Sequence, residues 1–166
     1  DSNPISLLPK GFDYYAGGHV HHVFSKQEPG YGPITYPGPM FPNNFRELGK
    51  LKRGGFYLVT VEENKVSFEH VPVELYPVVS FTFGCNHKDV AAVEDNAIKE
   101  IKSKDLKNAI VTLRFEGKLK SGRPSDINFR ALFDLCYSNQ AYFVMRNSVA
   151  LTSEEFEEIK AESVSV

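Results

Sequence analysis

The sequence is short of thiols, of long apolar runs and of excess charge of either sign. Cysteine occurs only at Cys85 and Cys136. Each sits in an apolar segment and their spacing fits no metal knuckle, so reduced, buried thiols of a cytoplasmic protein are expected. No run of about 18 apolar residues occurs, so no transmembrane helix is expected. The first residues, DSNPISLLPKG, carry neither a basic start nor a long apolar stretch, so they do not read as a secretory signal. The net charge of −2 argues against a bulk polyanion binder but leaves room for local basic patches. Internal repeats and low-complexity segments are also missing.

What is present suffices for a packed core. Hydrophobic residues make up 42% and aromatics 13% of 166 residues, enough for one ordinary domain or two small ones. The first third is rich in glycine and proline. Residues 12–16 read as a buried strand, and 22–25 and 34–36 as short strands around the turn-rich EPGYGP. The long segment PGPMFPNNFRELGKLKRGG follows, and its length makes it a candidate functional loop. Residues 56–62 and 66–73 form a predicted hairpin around EENK. His70, inside the second of these strands, reads as an ordinary half-exposed strand residue.

After VPVELYP the pattern changes. Residues 78–83, 109–115 and 141–145 read as strands. Between them, Val90, Val93, Ala97 and Ile101 recur at helical spacing within 87–102. Phe129, Leu132, Phe133 and Cys136 mark the apolar face of a second helix that starts near RPSD. Thr152 and Glu155 read as a capping box opening a short acidic helix. The expected organisation is α/β, with a boundary near 72–77. Residues 1–75 form one domain, and 76–166 form a small β-α-β-α-β domain.

The chemistry-bearing stretch is FDYYAGGHVHH, at 12–22. On a regular strand, His19 and His21 would project to one side with Cα atoms roughly 6.5 Å apart, and His22 to the other. Converging imidazoles could each give a nitrogen to one ion of a two-metal centre. Gly17 and Gly18 would let ions and substrate approach the backbone. From H-x-H alone, a metal pair and a plain polar strand end both stay open.

The surrounding residues carry more. FDYYAGGHVH resembles the last metal motif, G-H-x-H, of the calcineurin-like metallophosphoesterases, in the form used by the Mre-eleven/SbcD family of double-strand-break repair nucleases. Tyr36-Pro37-Gly38 is similar to that family's Y-P-G turn and Phe45-Arg46-Glu47 to its F-x-E. Gly55-Phe56-Tyr57-Leu58-Val59 is similar to its G-F-Y-L-V strand. One departure is Pro39, where the family usually has Ser; that position has neither a hydroxyl nor an N–H to offer a phosphate.

The resemblance implies the last strands of a metallophosphoesterase two-sheet sandwich followed by a capping domain. It implies a metal-dependent nuclease with 3′–5′ exonuclease and endonuclease activity, two divalent ions of manganese type, DNA as substrate and an SMC-like coiled-coil ATPase as partner. His19 and His21 are the metal ligands it places here. The family's upstream motifs, D-x-H, G-D-x-x-D, G-N-H-D/E and a lone His, are missing from the residues before Phe12. No catalytic residue is therefore expected in this chain. The chain alone is expected to be inactive, with the first half of the core supplied in cis or on another polypeptide. Strand faces bearing Tyr14, Phe56 and Leu58 should be left partly uncovered.

The stretch GCNHKD at 84–89 looks like G-N-H-D with insertions. We read it as a helix cap, with Asn86 at the N-cap and Asp89 in the first turn. Two basic clusters, Arg46, Lys50, Lys52 and Arg53 on the long loop and Lys118, Lys120 and Arg123 in GKLKSGR, are candidate phosphate contacts. A solvated charged loop is the competing reading of each. Two other functions stay open: a non-catalytic DNA- or partner-binding fragment, and a metallophosphoesterase acting on a phosphoprotein or nucleotide.

Overall fold

The structure is a computed structural model that describes residues 4–63 and 65–154. The acidic helix expected after Thr152 lies outside the described residues. The chain divides into two compact units, Asp1–Pro42 with Arg53–Leu75, and Asn43–Lys52 with Tyr76–Val166. The second unit thus takes a segment, 43–52, from inside the first.

The first unit is built of short strands. β1 (Tyr15–Ala16) pairs in parallel with β3 (Ile34–Pro37), and β2 (Val23–Lys26) pairs antiparallel with β3. The strand expected over 12–16 is thus only two residues long. Ile34 and Thr35 of β3 are buried, and the Tyr14 and Thr35 hydroxyls bond to each other. The Tyr36-Pro37-Gly38 turn needs its glycine: Gly38 has φ +72°, and a Cβ there would stand 2.9 Å from the Val23 side chain.

β4 (Gly54–Glu62) and β5 (Lys65–Val73) form the expected antiparallel hairpin in unbroken register. Gly55 is the place where the imidazole of His70 packs, so a side chain there would collide with the ring. Alternation places Phe56 and Leu58 on one face, with 38% and 56% of their surface exposed. These are two of the apolar positions expected to lie partly uncovered. Tyr14, the third, is half-buried and lies 6.3 Å from the Phe68 ring.

The second unit is a parallel α/β layer. Strands β6 (Val78–Gly84), β7 (Ile110–Leu119) and β8 (Phe143–Asn147) lie in the order β6-β7-β8, joined by α2 (Val90–Lys102) and α3 (Phe129–Ser138). Parallel neighbours require such helical crossovers. Val93, Ala97 and Ile101 of α2 and Leu132 and Cys136 of α3 are buried against Phe81, Phe83, Val111, Leu113, Phe115 and Val144 of the sheet. The Phe83 and Phe115 rings pack 4.7 Å apart in the middle.

Among the elements that were not foreseen, two matter here. β9 (Leu151–Ser153) pairs in parallel with the end of β7, so Thr152 is a strand residue rather than a helix cap. The supposed loop 37–55 contains α1 (Phe45–Leu51), which packs on β6, β7 and β8 and buries Leu48. Asn44 caps α1 by accepting from Glu47 N–H at 3.0 Å, and Glu47 accepts from Asn43 N–H at 3.2 Å. No described helix is long and apolar enough to cross a membrane.

Candidate metal centre and nucleic-acid contacts

The chain leaves β1 at Ala16 and does not continue as a strand through the histidines. Gly17 sits against the Tyr36 ring, leaving no room for a side chain, whereas a Cβ on Gly18 would meet open space. Val20 N–H donates to the Gly18 carbonyl at 2.8 Å, closing a tight turn. His19, at the apex, has φ 67°, the left-handed region. The two-residue alternation of a strand therefore does not set the directions of His19, His21 and His22. All three are exposed. His22 lies next to Phe24, with ring centroids 6.0 Å apart.

The other two histidines have structural roles. His70 is half-buried in β5, its Nε2 3.3 Å from the Pro37 carbonyl and its ring edge-on to Tyr57 at 5.1 Å. His87 stands at φ 61° in the β6–α2 loop, its N–H donating to the Lys118 carbonyl at 3.1 Å.

The stretch 84–89 is a capping loop, with one change of residue. The N-cap of α2 is Asp89, which accepts from Ala92 N–H at 2.8 Å. Asn86 instead accepts from Lys118 N–H at 2.8 Å and so ties the loop to β7. Gly117, at φ +111°, makes room for that amide. Asp89 directly precedes the first helical residue, Val90, and its charge complements the helix N-terminus.

Both thiols are fully buried. Burial pushes Cys136 up to about 11, and it raises Cys85 as well. Neither is poised as a nucleophile or metal ligand.

The basic candidates divide between the units. Arg46 and Lys50 lie one turn apart on α1 and are exposed, and Lys52 ends that helix at φ 61°. Arg53 belongs to the first unit. Lys118 is not on a loop but in β7; Lys120 follows, its N–H bonded to the Lys88 carbonyl at 2.9 Å. Arg123 lies 4.0 Å from Asp126, which also accepts its N–H at 2.8 Å. Arg114, on β7 with its guanidinium 5.0 Å above the Phe45 ring, faces Arg46 and Lys50 across a cleft. Its place inside a strand gave no sign of this in the sequence.

Two imidazoles suit a divalent ion as far as they go, but such ions take four or more donors. Among the described residues no group of three or more His, Cys, Asp or Glu side chains is placed to hold an ion. The described residues by themselves therefore do not amount to a metal centre.

The first unit thus carries a G-H-x-H turn, a Y-P-G turn and a hairpin, and the second is a small parallel α/β layer. No family model matches the chain. The chain is similar to the DNA double-strand break repair protein Mre11 of Methanopyrus kandleri, at 46% identity over 75 residues. That match covers 42% of this chain and 16% of the archaeal protein. The chain thus spans about a sixth of the length of the curated relative it matches.

Proposed function

We propose that this chain is part of a metal-dependent DNA repair nuclease of the Mre-eleven/SbcD type. The observation that carries the reading is the identity with Mre11 over 75 residues. In this reading the first unit is the last part of the nuclease core and the second is the capping domain. His19 and His21 contribute neutral imidazole nitrogens to a centre of two divalent ions, manganese being the expected pair. The remaining ligands and the proton-donating acid come from residues outside this chain. Bound ions of this kind supply Lewis acidity and an ionisable water for phosphodiester hydrolysis. The exposure of both histidines on a turn suits ligands converging from another segment. The bare Phe56 and Leu58 face suits further strands or helices laid against it.

This chain's own contributions are two imidazoles and a set of cations, all exposed except the half-buried Lys118. Arg46, Lys50, Lys52, Arg53, Lys118, Lys120 and Arg123 would neutralise DNA phosphates without reading sequence. An SMC-like coiled-coil ATPase is the expected partner and the cytoplasm the expected location.

The test is a manganese titration by calorimetry with a parallel nuclease assay. The 166-residue chain alone should bind manganese weakly and leave a labelled duplex intact. Addition of the upstream half should create tight binding of two ions and chelator-sensitive cleavage. His19→Ala and His21→Ala should each abolish cleavage in the completed protein while its melting temperature holds. If both variants keep two ions and normal cleavage, the metal assignment is wrong. If the completed protein binds DNA and never cleaves it, the chain is a non-catalytic binding fragment.

A further inference from the structure

The sheet of the second unit has two unlike faces. Toward α2 and α3 it presents Phe81, Phe83, Val111, Leu113 and Phe115, all buried. The alternate positions of β6 and β7 are Ser80, Thr82, Thr112 and Arg114. A parallel sheet covered by helices on both faces usually reads as continuous apolar residues. Here the face that receives α1 is instead hydroxylic and cationic.

That face encloses a cleft of about 330 Å³. Its walls are Phe45, Arg46, Gly49 and Lys50 of α1, and the side chains of its floor are Ser80, Thr82, Thr112 and Arg114. Three cations line it and no carboxylate does. Gly49 leaves the α1 wall without a side chain at that point, 4.0 Å from the Ser80 hydroxyl to where a Cβ would stand. The buried Thr112 hydroxyl donates to Ser80 Oγ at 2.9 Å. Ser80 therefore keeps its own proton for another acceptor, and its oxygen is held in place by that bond. Phe45 supports the Arg114 guanidinium from below at 5.0 Å. A fixed hydroxyl donor, a planar guanidinium held on a ring and two further cations match a tetrahedral oxyanion.

The geometry points to a phosphate-binding cleft on this face, in which Arg114, Arg46 and Lys50 neutralise one phosphate group and Ser80 donates to it. The class of ligand is a phosphate ester, and we assign it as a backbone phosphate of a DNA strand. Only that last assignment rests on the nuclease reading above; the anion site stands on the cleft alone.

The experiment uses the whole chain and two probes. Amide chemical shifts are followed on titration with inorganic phosphate, and fluorescence anisotropy on titration with a short labelled oligodeoxythymidine. Phosphate should shift the amides of Ser80, Thr112, Arg114 and Lys50 together, and the oligonucleotide should compete for them. Arg114→Gln and Ser80→Ala should each weaken both ligands roughly tenfold or more, as removal of a charge-assisted bond does. Lys50→Gln, on an exposed helix face where folding is not at stake, should flatten the log–log salt dependence of strand binding by about 0.7. Lys107→Gln, outside the cleft, should change neither ligand's amide response. Phosphate binding without competition by the strand would keep the cleft as an anion site and overturn its assignment to DNA. Strand binding that ignores Arg114→Gln, Ser80→Ala and Lys50→Gln would leave the nuclease reading standing and overturn the cleft. No amide response to phosphate would overturn the cleft as well.

Discussion

Leu48→Ala tests whether α1 is held by the second unit's sheet. α1 has seven residues with Gly49 in its second half. Isolated helices shorter than roughly 12–15 residues are marginal in water, so packing must hold it. Leu48 is the one buried side chain of the helix, at 4% exposure. Leu-to-Ala truncations in cores cost about 2–5 kcal/mol. A site covered by a single short helix can relax into the gap, so the low end applies, about 2–3 kcal/mol. That lowers the docking equilibrium of α1 by about 30–150-fold. The direct readout is hydrogen exchange of the Leu48 and Lys52 amides, which bond to the Asn44 and Leu48 carbonyls at 2.9 and 3.2 Å. Their protection should fall by that factor, while the Val111 and Leu113 amides of the central strand change much less. Asn44→Ala removes the cap and should lower the same protection by a smaller step, about 1 kcal/mol. Unchanged protection of Leu48 and Lys52 in the Leu48→Ala protein would refute the account of why this helix exists.

Three further outcomes are expected. Cys136 should make the fold alkali-sensitive: its buried thiol holds its proton to about 11 against 9.0 in an open chain. Between those values the folded state binds more protons than the unfolded one, so stability should fall with rising pH by about 2–3 kcal/mol in all; a Cys136→Ala protein whose denaturation midpoint falls just as steeply over that window would contradict this. Asp89→Ala should destabilise by about 1 kcal/mol in urea unfolding, since it removes the cap of α2, and an effect confined to Asn86→Ala would reverse the assignment of the cap. Replacing Lys118, Lys120 and Arg123 with Ala should weaken duplex binding by a similar factor on unrelated sequences and flatten the salt slope by about 0.9 for each phosphate that is no longer neutralised; an unchanged slope returns these residues to solvated surface.

Long, periodic elements were legible in the sequence because one physical signal dominates each of them. The β4–β5 hairpin shows alternation on both sides of a polar turn, and α2 repeats apolar residues at helical spacing. The parallel strands of the second unit are apolar runs of the right length. What escaped was short or set by context. α1 is flanked by prolines and asparagines and carries a glycine, so its composition reads as loop; the Asn44 and Glu47 pair was the signal that could have found it. β9 is three residues long, too short for any period. Extending β1 through the histidines failed because Gly17 and Gly18 end the strand before His19. The charge-bearing candidates were legible as types and not as partners: nothing in the order of residues says that Arg114 in a strand lies across from Arg46 and Lys50 in another segment.

The placement of 43–52 with the second unit has a consequence for how the protein is made. α1 leaves the ribosome before any strand that it packs on exists. The last of these, β8, ends at Asn147, about a hundred residues after α1, which at 5–20 residues per second is roughly 5–20 s of synthesis. During that interval the flanking strands of the first unit can already pair, while the seven-residue segment between them waits without its docking site. Its docking is then a late, long-range step in the biogenesis of the chain. A ribosome stalled before β8 would display Leu48 and the cations beside it as a short unfolded loop.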